Sequence, residues 1–127
     1  MKFMSILVFS GVLIFASAAY ASEYTIDHPA TITGKIATIK SLHPNPEFRG
    51  EKQIAIRPHR KLQVKMSDGS VVNTQLIQLI SSDIPYKRLF AQEHQNVRLY
   101  CTSLFEQETA HHTTKILCDV EKVEISS

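Results

Sequence analysis

The sequence predicts a mainly β protein: a small OB-like barrel of five strands with one short helix between strands 3 and 4. Three observations point there. Successive stretches alternate apolar and polar residues with the period of two that a half-buried strand shows. Only residues 82–96 carry helical spacing, and they fall between the third and fourth strands. The first strand holds a glycine with a slip of apolar phase beside it, which suggests a bulge or a sharp coil. A small β-sandwich of similar strand count satisfies the same alternation and is the structural alternative.

In chain order, Ile32, Gly34 and Ile36 alternate with Thr31, Thr33 and Lys35, and the phase then slips to Ile39. His43-Pro44-Asn45-Pro46-Glu47 follows, where the prolines forbid a ladder and mark a loop to about Gly50. Ile54 and Ile56 begin a second strand, broken at Pro58, and Leu62, Val64 and Met66 resume the alternation. Ser67-Asp68-Gly69-Ser70 is a turn that closes a hairpin onto a third strand over residues 71–80. Ser82 or Asp83 is placed to cap a helix with Pro85 in its first turn, and Tyr86, Leu89 and Phe90 form its apolar stripe before His94-Gln95-Asn96 ends it. Residues 97–105 and 114–125 make a last hairpin around the polar loop 106–113.

Residues 1–21 read as a cleavable signal peptide. Lys2 precedes an uncharged apolar stretch from Phe3 to about Ala16, and Ala19-Tyr20-Ala21 is a small-x-small cleavage site. The apolar run fades into Ala and Ser with no cationic stop, so a membrane anchor is disfavoured and no membrane insertion is expected after cleavage. The working protein is then one domain over residues 22–127, delivered to the periplasm or secreted. The chain has 14 Lys and Arg, one of them Lys2, against 12 Asp and Glu, a balance that argues against nucleic acid as a partner.

Cys101 and Cys118 are the only cysteines, and in an oxidising compartment an even pair predicts a disulfide. Setting Cys101 opposite Cys118 fixes an antiparallel register that also pairs Leu99 with Val120, Arg98 with Glu121 and Tyr100 with Asp119. That register gives one mostly apolar face carrying both cysteines and opposite charges behind it, which cross-strand pairing favours.

At Leu104-Phe105 and from Thr109 through His111-His112 to Ile116-Leu117, the sequence resembles a family of exported bacterial domains of unknown function. Members of that family end with a Gly-x-Leu-Phe strand, a loop and a Gly-His-His-x-Thr-x-Val-Leu stretch. Thr102 and Ala110 stand where the family has its glycines, and Ile116 where it has valine. The resemblance is specific to the C-terminal hairpin; it implies an exported β-barrel and assigns no activity.

In OB barrels, ligands bind the face of strands 2 and 3 between the loops joining strands 1–2 and 4–5, here residues 43–52 and 106–113. His111 and His112 sit in the second of these loops and are candidate ligand contacts; the structural reading has one imidazole bonded to backbone and the other solvated. The remaining histidines, His28, His43, His59 and His94, show no metal-ligand spacing, so no metal or other cofactor is expected. Arg49, Lys52, Arg57, Arg60, Lys61 and Lys65, against the single acid Glu51, offer a basic face on strands 2 and 3, with Lys61 and Lys65 as candidate contacts for an anionic ligand. Solvated charge is the structural reading of the same residues, and the scarcity of aromatics for base stacking again argues against nucleic acid. No nucleophile elbow, zinc-protease helix or phosphate-binding glycine loop is present, so catalysis is not expected. The sequence therefore predicts a periplasmic binding or interaction module whose partner is an unknown protein or a small anionic or glycan ligand. An inhibitor or immunity protein docking onto a cell-wall hydrolase is the alternative.

Overall fold

The computed structural model describes residues 23–126, so the leader read at residues 1–21 lies outside the described residues. Eight strands and one helix follow in order: β1 (Glu23–Thr25), β2 (Ala30–Lys40), β3 (Lys52–Pro58), β4 (Leu62–Lys65), β5 (Val71–Thr74), β6 (Ile77–Ile80), α1 (Tyr86–Phe90), β7 (Asn96–Glu106) and β8 (Ile116–Ile125). Five of the strands close a barrel in the order β2-β3-β6-β8-β7, with β6 and β8 parallel and the other neighbours antiparallel. Numbered within the barrel, that order is 1-2-3-5-4, and α1 lies between strands 3 and 4, the arrangement the sequence predicted.

Closure rests on β2. Its first half pairs with β7 and its second half with β3, and Gly34 belongs to both ladders, opposite Val97 on one side and Pro58 on the other. A strand shared this way must coil sharply, and a Cβ at Gly34 would lie 2.3 Å from the Arg57 carbonyl oxygen. Glycine is therefore demanded by the close approach of two backbones. Inside the barrel, Ile32, Ile36, Ile54, Ile56, Ile77, Leu79, Leu99, Leu104 and Ile116 are fully buried, and Leu89 of α1 joins them. Each such side chain contributes roughly 1.5–3 kcal/mol by leaving water.

Three local expectations are corrected. The predicted third strand, residues 71–80, is two strands, because the Thr74 hydroxyl donates to the Leu76 carbonyl at 2.9 Å and accepts from the Leu76 N–H at 3.3 Å, which bends the chain out of the ladder. Its first part, β5, stays with β4 and forms a separate sheet, β1-β4-β5, in which β1 pairs with β4 in parallel. Lys61 precedes β4 and Lys65 ends it, so neither lies on the barrel's strand 2–3 face.

The helix is held by Ser81 rather than capped by Ser82 or Asp83. The Ser81 hydroxyl accepts from the Ile84 N–H at 3.0 Å and donates to the Ile84 carbonyl at 2.7 Å, and Pro85 takes the N-cap position with no side-chain cap. His94, at φ 74°, ends the following turn.

The third correction concerns the last hairpin. Cys101 faces Val120 and Cys118 faces Leu104, while Arg98 faces Glu124 and Tyr100 faces Lys122. The whole ladder is offset by three residues from the expected register, and the two irregularities flanking Cys101, which cancel along the strands, set only Cys101 opposite Val120, so the two cysteines are diagonal neighbours with Cα atoms 5.5 Å apart and their sulfurs at bonding distance. The expected bridge forms without the expected register. The parallel ladder with β6 constrains β8 as well, setting Leu79 opposite Cys118. Tyr100 then donates to the Glu124 carboxylate at 2.8 Å, locking the shifted register from outside.

Candidate functional site at the junction of two loops

The loop between β2 and β3 is closed at its base by two backbone bonds, from the Gly50 N–H to the Ser41 carbonyl and from the Ser41 N–H to the Glu51 carbonyl, both 2.9 Å. Inside it the Asn45 carbonyl receives the N–H groups of Phe48 and Arg49, and its side-chain oxygen receives that of Glu47. Gly50 adopts φ 84°, which glycine alone takes at little cost. The loop between β7 and β8 is closed by the Gln107 N–H on the Lys115 carbonyl at 3.0 Å. Within it the His112 Nδ1 accepts from the backbone N–H of Glu108 at 2.9 Å and of Thr109 at 3.3 Å.

The two loops meet at His111. Its Nδ1 lies 2.8 Å from a Glu51 carboxylate oxygen, and Phe48 sets its ring edge-on against the imidazole at a centroid distance of 5.0 Å. Beneath them the His111 carbonyl receives both the Gln53 amide at 2.8 Å and the Gln78 amide at 2.9 Å. The Thr113 N–H answers the Gln78 carbonyl oxygen at 2.6 Å, and the Thr113 hydroxyl answers that of Gln53. The Thr114 hydroxyl accepts from the Gln78 N–H at 2.9 Å and donates to the Ile116 carbonyl at 2.7 Å.

Strand alternation puts Gln53, Ala55 and Gln78 on the side of β3 and β6 opposite the barrel interior. There Gln53 is 5% and Gln78 3% exposed, because the β7–β8 loop lies over them. Part of the face on which an OB barrel would seat a ligand is thus taken by the chain's own loop. What remains open is a groove of about 240 Å³ lined by Glu51, Lys52, Ile54, Ile80, Tyr86 and Phe90, with the two glutamines and His111 along one wall. Lys52 Nζ sits 4.9 Å over the Phe90 ring at its rim.

The Gln53 amide bond is the main force holding the Glu51 carboxyl below its ordinary value; burial opposes it, and the His111 bond and charge add to the lowering. The junction thus presents a fixed anion beside an exposed imidazole. His112 differs: burial lowers its pKa, with the His111 charge acting the same way and Glu108 opposing. A neutral ring suits its place, since a protonated Nδ1 cannot accept the two N–H groups of the turn. As pH falls below the usual histidine value of about 6.5, the unfolded chain takes up a proton before the folded one does. Stability is therefore expected to fall in that window. An NMR titration should place the His112 midpoint below 6.5, and a His112→Asn variant should lose that part of the pH dependence of its urea midpoint.

Of the residues singled out in the sequence, His111 is exposed at the junction and His112 is half-buried in the turn beside it. Lys61 and Lys65 are exposed on the small sheet, apart from the groove. His28 bonds the Ile26 carbonyl and His59 the Asn96 side chain. Among the described residues no group of three His, Cys, Asp or Glu gathers as a metal would require. Sequence reasoning did not single out Gln53, Gln78 or Thr113, and it took Glu51 only as the lone acid among the cations of residues 49–65.

Comparison with known families bears on the segment that builds most of this junction. Residues 76–124 match the family model Domain of unknown function (DUF4431). The match runs from the start of barrel strand 3 through α1 to the end of the last hairpin, and agrees with the uncharacterised family that the C-terminal hairpin resembles. No curated protein and no solved structure matches the chain.

Proposed function

We propose that this protein is an exported, periplasmic, non-catalytic binding module whose ligand or protein partner sits in the groove at the loop junction. The observation that carries the reading is the direct union of the two loops, with Glu51, Gln53 and Gln78 all bonded to His111 beside an open groove floored by Ile54 and walled by Phe90 and Tyr86. A preorganised rim with a few polar groups beside apolar lining residues is what a ligand pocket needs. Export is supported by the leader pattern of residues 1–21 and by a cystine in the barrel wall. Absence of catalysis is supported by the chemistry of the pair itself: Glu51 is already engaged by Gln53 and His111, and among the described residues no hydroxyl or thiol bonds the His111 imidazole, the Thr109 hydroxyl accepting only from its backbone N–H.

A thermal-shift screen with peptidoglycan fragments, polyanions and divalent metals tests the reading, since a ligand selective for the folded state raises apparent stability. At least one glycan or anion should raise the midpoint, Glu51→Gln with Tyr86→Ala should abolish the rise, and Lys61→Gln with Lys65→Gln should leave it unchanged. No shift with any class, together with no protein co-purifying from a periplasmic extract, would sink it. The inhibitor reading draws support from Leu42, which is 79% exposed at the edge of the β2–β3 loop. A single projecting leucine beside His43 and Pro44 suits insertion into an enzyme cleft, and a cell-wall hydrolase co-purifying at stoichiometric amount would favour that partner.

A further inference from the structure

Away from the loop junction, the outside of the barrel gathers cations that the fold itself does not use. Lys35 stands directly opposite Arg57 across the β2–β3 pair and opposite Asn96 across the β2–β7 pair. One pleat along, Thr33 faces Arg98, and His59, whose N–H bonds the Thr33 carbonyl, sets its ring 3.1 Å from the Asn96 side-chain oxygen. All six side chains are exposed.

Like charges directly opposite one another in an antiparallel pair destabilise it. Among the described residues, the ion pairs within 4.0 Å join His94 to Glu93, His111 to Glu51 and Lys122 to Glu124, and none involves Lys35, Arg57 or Arg98. Glu124 lies opposite Arg98, but its two oxygens are engaged by the Tyr100 hydroxyl at 2.8 Å and by Lys122 at 3.2 Å. Among the described residues, Lys35 and Arg57 thus carry a repulsion with no compensating ion pair.

We propose that this face binds a glycan bearing phosphate groups, at a site separate from the loop junction. Neighbouring strands are about 4.8 Å apart and same-face residues along a strand about 6.7 Å, a spacing across which the long Lys35, Arg57 and Arg98 side chains can each reach one of two adjacent phosphates. Guanidinium forks bind phosphate in two-pronged fashion, and Lys35 supplies a point charge between them. Thr33, Asn96 and His59, interleaved with the cations, offer the donors and acceptors that sugar hydroxyls require. Apart from the His59 imidazole, which is bonded to Asn96, the two rows contain no aromatic ring on which a nucleobase would stack and no apolar side chain to enter a membrane, so the chemistry favours a phosphorylated glycan over nucleic acid or a lipid surface.

Calorimetric titration of the protein with phosphorylated pentamannose tests this, alongside neutral pentamannose, inorganic phosphate, phosphatidylglycerol vesicles and an oligothymidylate. Saturable, salt-sensitive binding of the phosphorylated glycan alone is expected, weakened at least about tenfold by Lys35→Gln with Arg57→Gln, since charge-assisted hydrogen bonds are lost. The variant should melt no lower than the parent, because the like-charge pair is gone. If the double variant does not fold, Lys35→Gln alone carries the same comparison. Undiminished binding by a folded variant, no binding at all, or tighter binding of phosphate, vesicles or oligonucleotide than of the glycan would overturn the proposal.

Discussion

Gly34→Ala is expected to lower stability by about 3 kcal/mol, a large fraction of the 5–15 kcal/mol typical of a domain this size. The added methyl would stand 2.3 Å from the Arg57 carbonyl oxygen and 2.8 Å from the Pro58 Cα. Both are backbone atoms, so no side chain can swing aside; either the β2–β3 ladder opens or the strand uncoils and the contact with β7 loosens. A urea titration followed by far-UV circular dichroism measures the loss. Gly69→Ala is the control. Gly69 adopts φ 88° in a turn with nothing within 4 Å of its missing Cβ, so alanine there meets only conformational strain and should cost about 1 kcal/mol. Equal losses at the two positions would mean that close approach at Gly34 is not what sets its identity.

That glycine also marks how far the sequence could be read. A glycine beside a phase slip in an otherwise alternating strand points to a coiled first strand, and prolines at 44, 46 and 85 punctuate the chain, so strand order and the place of the helix were legible. The kink at Thr74 was not, because it arises from a hydroxyl bonding its own backbone two residues on, which leaves no trace in apolar periodicity. Nor was the parallel pairing of β1 with β4, a contact between segments far apart in sequence. Register failed for a related reason. Parity of apolar residues identifies a face but not the offset along it: the ladder lies three residues from the expected register, and compensating irregularities on the two strands at Cys101 return that residue to the buried face with Cys118. At the site, His111 was conspicuous as a residue type, whereas Gln53 and Gln78 became legible only once the β7–β8 loop was seen to cover them.

Replacing Cys101 and Cys118 together by alanine is expected to cost about 3 kcal/mol, from the chain entropy that a bridge over a sequence separation of 17 removes from the unfolded state. For a domain near 100 residues this corresponds to a fall of roughly 12–24 °C in Tm. Alanine is the appropriate replacement, since both residues lie in the core, at 2% and 0% exposure, and a serine hydroxyl there would add a desolvation penalty of its own. The loss should appear mainly as faster unfolding only if the hairpin forms late in folding; if β7 and β8 assemble early, refolding slows instead, and stopped-flow measurements separate the two. Burial also predicts that the bond resists reduction in the folded protein, because a thiolate reaches Cys101 or Cys118 only when β7 opens from β8. Mild reductant should therefore leave the native protein oxidised while reducing it completely in urea. Mass spectrometry under non-reducing conditions gives the direct check. Protein purified without reductant and then unfolded should show no alkylatable thiol and a mass lower by two hydrogens, and full alkylation of both cysteines would refute the bridge.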